Sequence, residues 1–105
     1  MVKVYGSKMG PDCVRCTGNL DANGLEYEFV DINRNLKNLK QFLIYRDSLP
    51  IFDRCKEIHD IGLPALVLED GTSTLKWSDY IRSKGGDPTL FTGEGAACSV
   101  DGTGC

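Results

Sequence analysis

The chain has 105 residues, 41% of them hydrophobic and 26% charged, with a formal net charge of -3. That length supports one domain with a modest core, no apolar run approaches the roughly 18 residues of a membrane span, and the acidic balance, without a basic stripe, argues against nucleic acid as a main partner. The first residues enter a strand pattern directly, so a cytoplasmic protein in a reducing compartment is expected, with no membrane association.

Val2 to Gly6 is β-branched and aromatic and reads as a buried strand ended by Gly6-Ser7. Gly10-Pro11-Asp12 breaks the chain, and Asp12 is a fitting N-cap for a helix opening at Cys13 and running to about Ala22. Asn23-Gly24 supplies a left-handed stop. Leu25 to Ile32 alternates with period two and reads as a second strand. Asn33 to Arg46 carries Leu36, Leu39, Phe42 and Leu43 at helical spacing. Pro50 interrupts, and Ile51 to Asp60 reads as a shorter helix with Phe52, Cys55 and Ile58 inward.

Ala65 to Glu69 and Ser73 to Trp77 flank Asp70-Gly71, a favoured hairpin turn. Ser78 then caps a last helix, Asp79 to about Lys84. From Gly85 onward glycine, alanine, serine and threonine dominate, so residues 1–84 form the domain. Residues 85–105 form a glycine-rich, cysteine-containing tail draped over it. The order β-α-β-α-β-β-α defines an α/β fold: a four-stranded mixed sheet with helices on both faces. Strands separated by helices are expected parallel, and the hairpin adds an antiparallel edge.

Five cysteines are many for this length. Without a secretory signal, catalytic or metal-binding use outweighs a disulfide scaffold. Cys13 and Cys16 are helix neighbours at i and i+3. Cys13, first at the helix start, is the thiol that the helix dipole acidifies, with Lys8 and Arg15 as further positive charges and Asp12 opposing them. Cys55 fits a small buried hydrophobe. Cys98 and Cys105 in the tail suit a redox shuttle or a regulatory disulfide. Joined to Cys13 and Cys16 they would make a four-thiolate zinc or iron–sulfur site, but their six-residue separation is wide for zinc. His59, the sole histidine, suits a helix end, and Lys37, Lys40 and Arg46 suit an exposed helix face.

The element order, the Cys-x-x-Cys after the first strand and Gly62-Leu63-Pro64 before the third together resemble glutaredoxins, a branch of the thioredoxin-like fold. The likeness covers residues 1 to about 84. It implies a glutathione-linked thiol–disulfide oxidoreductase in which Cys13 attacks disulfides or glutathionylated protein thiols and Cys16 resolves the product. Glutathione would serve as reductant, with no bound organic cofactor, although some members bridge chains through an iron–sulfur cluster. The resemblance also implies a cis bond at Leu63-Pro64, with Pro64 facing the cysteines. A glutathione site would follow from Lys8, Leu63, Pro64, Ser78 and Asp79; Lys76-Trp77 replace the family's two glycines there.

Two registers of this resemblance compete. An ungapped one, anchored at Tyr5-Gly6, Leu20 and Gly24, lays Gly10-Pro11-Asp12-Cys13 over the family's Cys-Pro-Tyr-Cys, so that Gly10 stands at the nucleophile's position. The other lengthens the first loop by three residues and makes Cys13 the nucleophile. A non-catalytic binding module, a metal or iron–sulfur carrier, and a dithiol enzyme reduced by a thioredoxin-type system are the alternatives.

Overall fold

A computed structural model describes residues 1–92. Its strands are β1 (Val2–Gly6), β2 (Tyr27–Asp31), β3 (Ala65–Val67) and β4 (Ser73–Thr74). Its helices are α1 (Pro11–Ala22), α2 (Leu36–Ser48), α3 (Asp53–Glu57), which follows a 3-10 turn over Pro50–Phe52, and α4 (Trp77–Ser83). The sheet order is β2-β1-β3-β4, with β1 and β2 parallel and β3 antiparallel to both β1 and β4.

The expected α/β sandwich with a mixed four-stranded sheet is present. One pairing differs from expectation: β3 runs antiparallel to β1, with Val4 opposite Leu66. The connection between β2 and β3 holds two helical segments divided at Pro50, not one crossover helix, so β3 enters the sheet from the opposite end.

Alternation along β1 divides the core in two. Val2 and Val4 meet Cys16 and Leu20 of α1 and Tyr80 and Ile81 of α4. Tyr5 points to the other side, where Phe42 of α2, Phe52 of the 3-10 turn, Cys55 of α3, and Ala65 gather. Phe42 and Phe52 meet edge-to-face, with ring centroids 5.9 Å apart, a preferred aromatic geometry. Cys55 is therefore a core residue, as expected. Ile58 is not, being 51% exposed; α3 closes at Glu57, and His59 takes a left-handed φ of 58°.

The start of the tail is docked along α1 by two asparagines one helical turn apart. Asn19 donates to the Phe91 carbonyl (2.7 Å) and accepts from the Phe91 amide (2.9 Å). Asn23 does the same with Asp87, at 2.8 Å in each direction. Residues 87–91 thus run antiparallel to α1. The Phe91 ring lies over Gly18, and a Cβ there would overlap it. Asn19 is fully buried with its amide satisfied, as a buried polar group must be. Cys98 and Cys105 lie outside the described residues.

Candidate functional site: a recessed thiol at the start of α1

The helix that carries the cysteine pair begins two residues earlier than its sequence suggests. Pro11 occupies the first helical position, where its missing N–H costs nothing. Gly10 is the N-cap, with no side-chain cap bond, so Asp12 lies inside the first turn rather than capping it. Ser7 to Gly10 forms a tight turn closed by Gly10 N–H to the Ser7 carbonyl (3.1 Å), and the Val14 amide begins the helical ladder on the Gly10 carbonyl (3.1 Å).

Cys13 is consequently the third helical residue and is recessed, at 2% exposure. Its Sγ accepts the Ser7 amide at 3.4 Å. Two glycines leave it space: a Cβ on Gly6 would stand 3.2 Å from Sγ, and one on Gly10 3.3 Å. Burial pushes the thiol above its ordinary pKa of 9, the Ser7 amide opposes that, and the Asp12 carboxylate adds to it. The acidification expected from the helix dipole is thus outweighed by desolvation, which disfavours the charged form. Arg15, expected to help a thiolate, is instead ion-paired with Asp12.

Cys16 lies one turn deeper, fully buried against β1 and α4. Burial, with Cys13 and Asp12 adding, raises its pKa to about 12. Its sulfur belongs to the core.

The Cys13 thiol lines a cleft of about 330 Å³ walled by Ser7, Met9, Gly10, Ile32, Ile61 and Leu63, with Asn33 and Asp60 on its rim. Asn33 receives the Ser7 hydroxyl, and the Met9 amide donates to that hydroxyl at 3.1 Å, so the loop beside the thiol is held from both sides. Of the residues singled out in the sequence, the structure brings Cys13 and Leu63 together here. The Leu63–Pro64 bond is cis, and Pro64 is buried beside the cleft-lining Leu63. Lys8 is exposed on the Ser7–Gly10 turn and does not line the cleft.

Ser78 and Asp79 stand elsewhere. The N-cap of α4 is Lys76, with no side-chain cap bond, so Ser78 is the second helical residue rather than the cap. Asp79 pairs with Arg82 at 3.1 Å. Neither lines the cleft. Met9, Ile32, Asp60 and Ile61 were not singled out, because they come from three loops whose meeting no local pattern announces. Among the described residues no group of three or more Cys, His, Asp or Glu is placed to hold a metal. No described helix is long and apolar enough to cross a membrane.

No family model matches the chain. A protein of Haemophilus influenzae (strain ATCC 51907 / DSM 11121 / KW20 / Rd), described as an uncharacterized protein, is 41% identical over 68 residues, covering 65% of this chain and 79% of the relative.

Proposed function

We propose that this chain, which belongs to the same family as the Haemophilus influenzae relative, is a glutaredoxin-like thiol–disulfide oxidoreductase acting through a single thiol, Cys13. The observation that carries this reading is the Cys13 thiol in a formed cleft, with the Ser7 amide aimed at its sulfur. The mixed sheet, the helices on both its faces and the cis Leu63–Pro64 bond beside that cleft support a thioredoxin-like fold.

In this reading the Cys13 thiolate attacks one sulfur of a disulfide or glutathionylated thiol, and the other sulfur leaves as a thiolate that takes up a proton. A second thiol, glutathione by the family resemblance, then attacks the mixed disulfide and returns Cys13. Glutathione rather than Cys16 resolves it in this reading, because the Cys16 sulfur is packed into the core one turn deeper, among Val2, Val4 and Leu20. A raised pKa leaves little Cys13 thiolate at neutral pH, so turnover is slow. Leu63, which lines the cleft, would meet the backbone of a substrate in this reading. The roles of Lys8, Ser78 and Asp79 in holding glutathione have no support from their positions.

The deciding experiment is glutathione-dependent reduction of a small mixed disulfide by the native chain, Cys13→Ser and Cys16→Ser. Cys13→Ser abolishes turnover and Cys16→Ser retains it. Native activity in Cys13→Ser overturns the assignment.

A second reading, a glutaredoxin-like binding module without turnover, is favoured by one feature. The helix start supports the ungapped register, in which Gly10 takes the position of the family's nucleophile. That reading requires no glutathione-dependent reductase activity even at high protein concentration.

A further inference from the structure

The walls around Cys13 carry information about what the sulfur meets. Met9, Ile32, Ile61 and Leu63 surround it with hydrocarbon. Among the described residues, the one ionisable side chain lining the cleft besides the thiol itself is Asp60, and no lysine or arginine lines it. Beyond Ile32, Asp60 and Ile61, which the two spaces share, lies a second groove of about 480 Å³. Leu39, Phe42 and Leu43 extend its apolar wall, and Arg46 and His59 line it as well. Ile61, 52% exposed, stands where the two meet.

Glutathione complements such a surface poorly. It offers no apolar side chain to Ile61 or Leu63. A chain with apolar residues beside its cysteine complements the surface better, because it buries hydrocarbon on both sides of the reacting sulfur. The groove also continues the binding surface past the length of a single residue.

From this we infer that the substrate disulfide belongs to a protein or peptide segment whose cysteine is flanked by apolar residues, with Ile61 setting the selectivity. The inference rests on the Cys13 reading above and names its substrate class. In the step concerned, the Cys13 thiolate attacks the cysteine sulfur of the segment. The existing S–S bond breaks, a new one forms to Cys13, and the displaced thiolate takes up the proton that Cys13 released, so no external oxidant is needed.

The test uses the full chain and three mixed disulfides of nitrothiobenzoate: N-acetyl-Leu-Cys-Leu-amide, N-acetyl-Ser-Cys-Ser-amide and glutathione. Release of the coloured thiolate gives the rate, and intact mass with peptide mapping gives the adduct site. The leucine peptide is expected to react at Cys13 about tenfold faster than the serine peptide, the usual discrimination of a small apolar contact. Ile61→Asp removes that preference, Ile61→Leu restores it, and Leu36→Asp, on an exposed position of α2 outside both grooves, leaves it intact. Equal rates for the three probes, or a preference unchanged in Ile61→Asp, overturn the inference while leaving Cys13 as the reacting thiol. Absence of a Cys13 adduct with every probe overturns both.

Discussion

Helix α1 has two flanks that the rest of the chain treats differently. Along one, residues 87–91 cover the helix, and every exchange between Asn19, Asn23 and the tail backbone is a paired hydrogen bond. At the other, the turn Ser7–Gly10 and the loop carrying Asp60 to Leu63 stop short of contact and leave a cleft over Cys13. The covered flank spends its small residue, Gly18, on letting a ring approach; the open flank uses Gly6 and Gly10 to keep space around a thiol. Glycine thus serves closure in one place and access in the other, on the same helix.

The largest expected effect breaks the covered flank. Asn19→Ala removes the fully buried amide that holds both polar groups of Phe91 and leaves the Arg15 carbonyl without that donor. A loss of about 2 kcal/mol follows from leaving buried partners unsatisfied. Urea unfolding measures it, and limited proteolysis should cut within residues 87–92 sooner. Asn23→Ala, whose side chain is only half-buried, should cost less. Equal losses for the two would mean that the tail is held by something other than this asparagine pair.

Next in size is a change that sharpens the open flank. At Gly10 an added Cβ would lie 3.8 Å from the Cys13 Cβ, the mean separation in disulfides. Gly10→Cys should therefore form a disulfide to Cys13 under mild oxidation. When reduced, the introduced thiol sits at the helix N-cap, where thiol pKa values fall. Disulfide reduction should accelerate about tenfold, the higher thiolate fraction being partly offset by lower intrinsic nucleophilicity. Peptide mapping of the oxidised variant and its rate with a small mixed disulfide check both parts.

How far these flanks could be read from sequence follows from what made them. Alternation and β-branched residues mark the strands, and β1, β2 and β3 fall within the stretches so marked, whereas β4 stops at Thr74 and Trp77, expected in that strand, opens α4. The start of α1 was misplaced because Asp12 looks like a cap, whereas Pro11 fits the first helical position at least as well and moves the helix start to Gly10. That shift of two residues carries Cys13 from the helix tip into the first turn and changes its chemistry. Leu36 and Leu43 keep helical spacing yet stay exposed, because the sheet covers only the Phe42 side of α2. Asn19 is legible only as a poor helix former and Asn23 only as part of the helix stop; their partners are more than sixty residues away, and local pattern carries no such information. The cleft walls failed to show for the same reason.

Gly18→Ala should produce a smaller change, because two effects oppose. Alanine favours the helix by about 1 kcal/mol over glycine, while its methyl would overlap the Phe91 ring and push the tail outward. Global stability should move by less than about 1 kcal/mol, yet proteolysis at residues 87–92 should still speed up. Stability and tail protection would then part company, which a purely local helix effect does not predict.

An effect that shows only at alkaline pH lies between the flanks, at Cys16. Its thiol is neutral in the folded protein up to about pH 12, against an ordinary value of 9. A pKa raised by folding means that the native state holds the proton more tightly than the unfolded state does. The associated stability is complete below pH 9 and is lost as the pH rises from 9 towards 12. Tyr5, Tyr27 and Tyr80, also raised to about 12 from 10, add the same sign only at higher pH. Cys13 shares the direction but is present in both proteins to be compared. Urea midpoints of the native chain and Cys16→Ala, followed from pH 8 to 10, should therefore converge as the pH rises. Alanine pays its cavity cost at every pH, but only the native chain loses stability through Cys16. Parallel curves would show that the Cys16 thiol ionises as freely in the folded chain as in the unfolded one, and that water reaches the core between the two flanks.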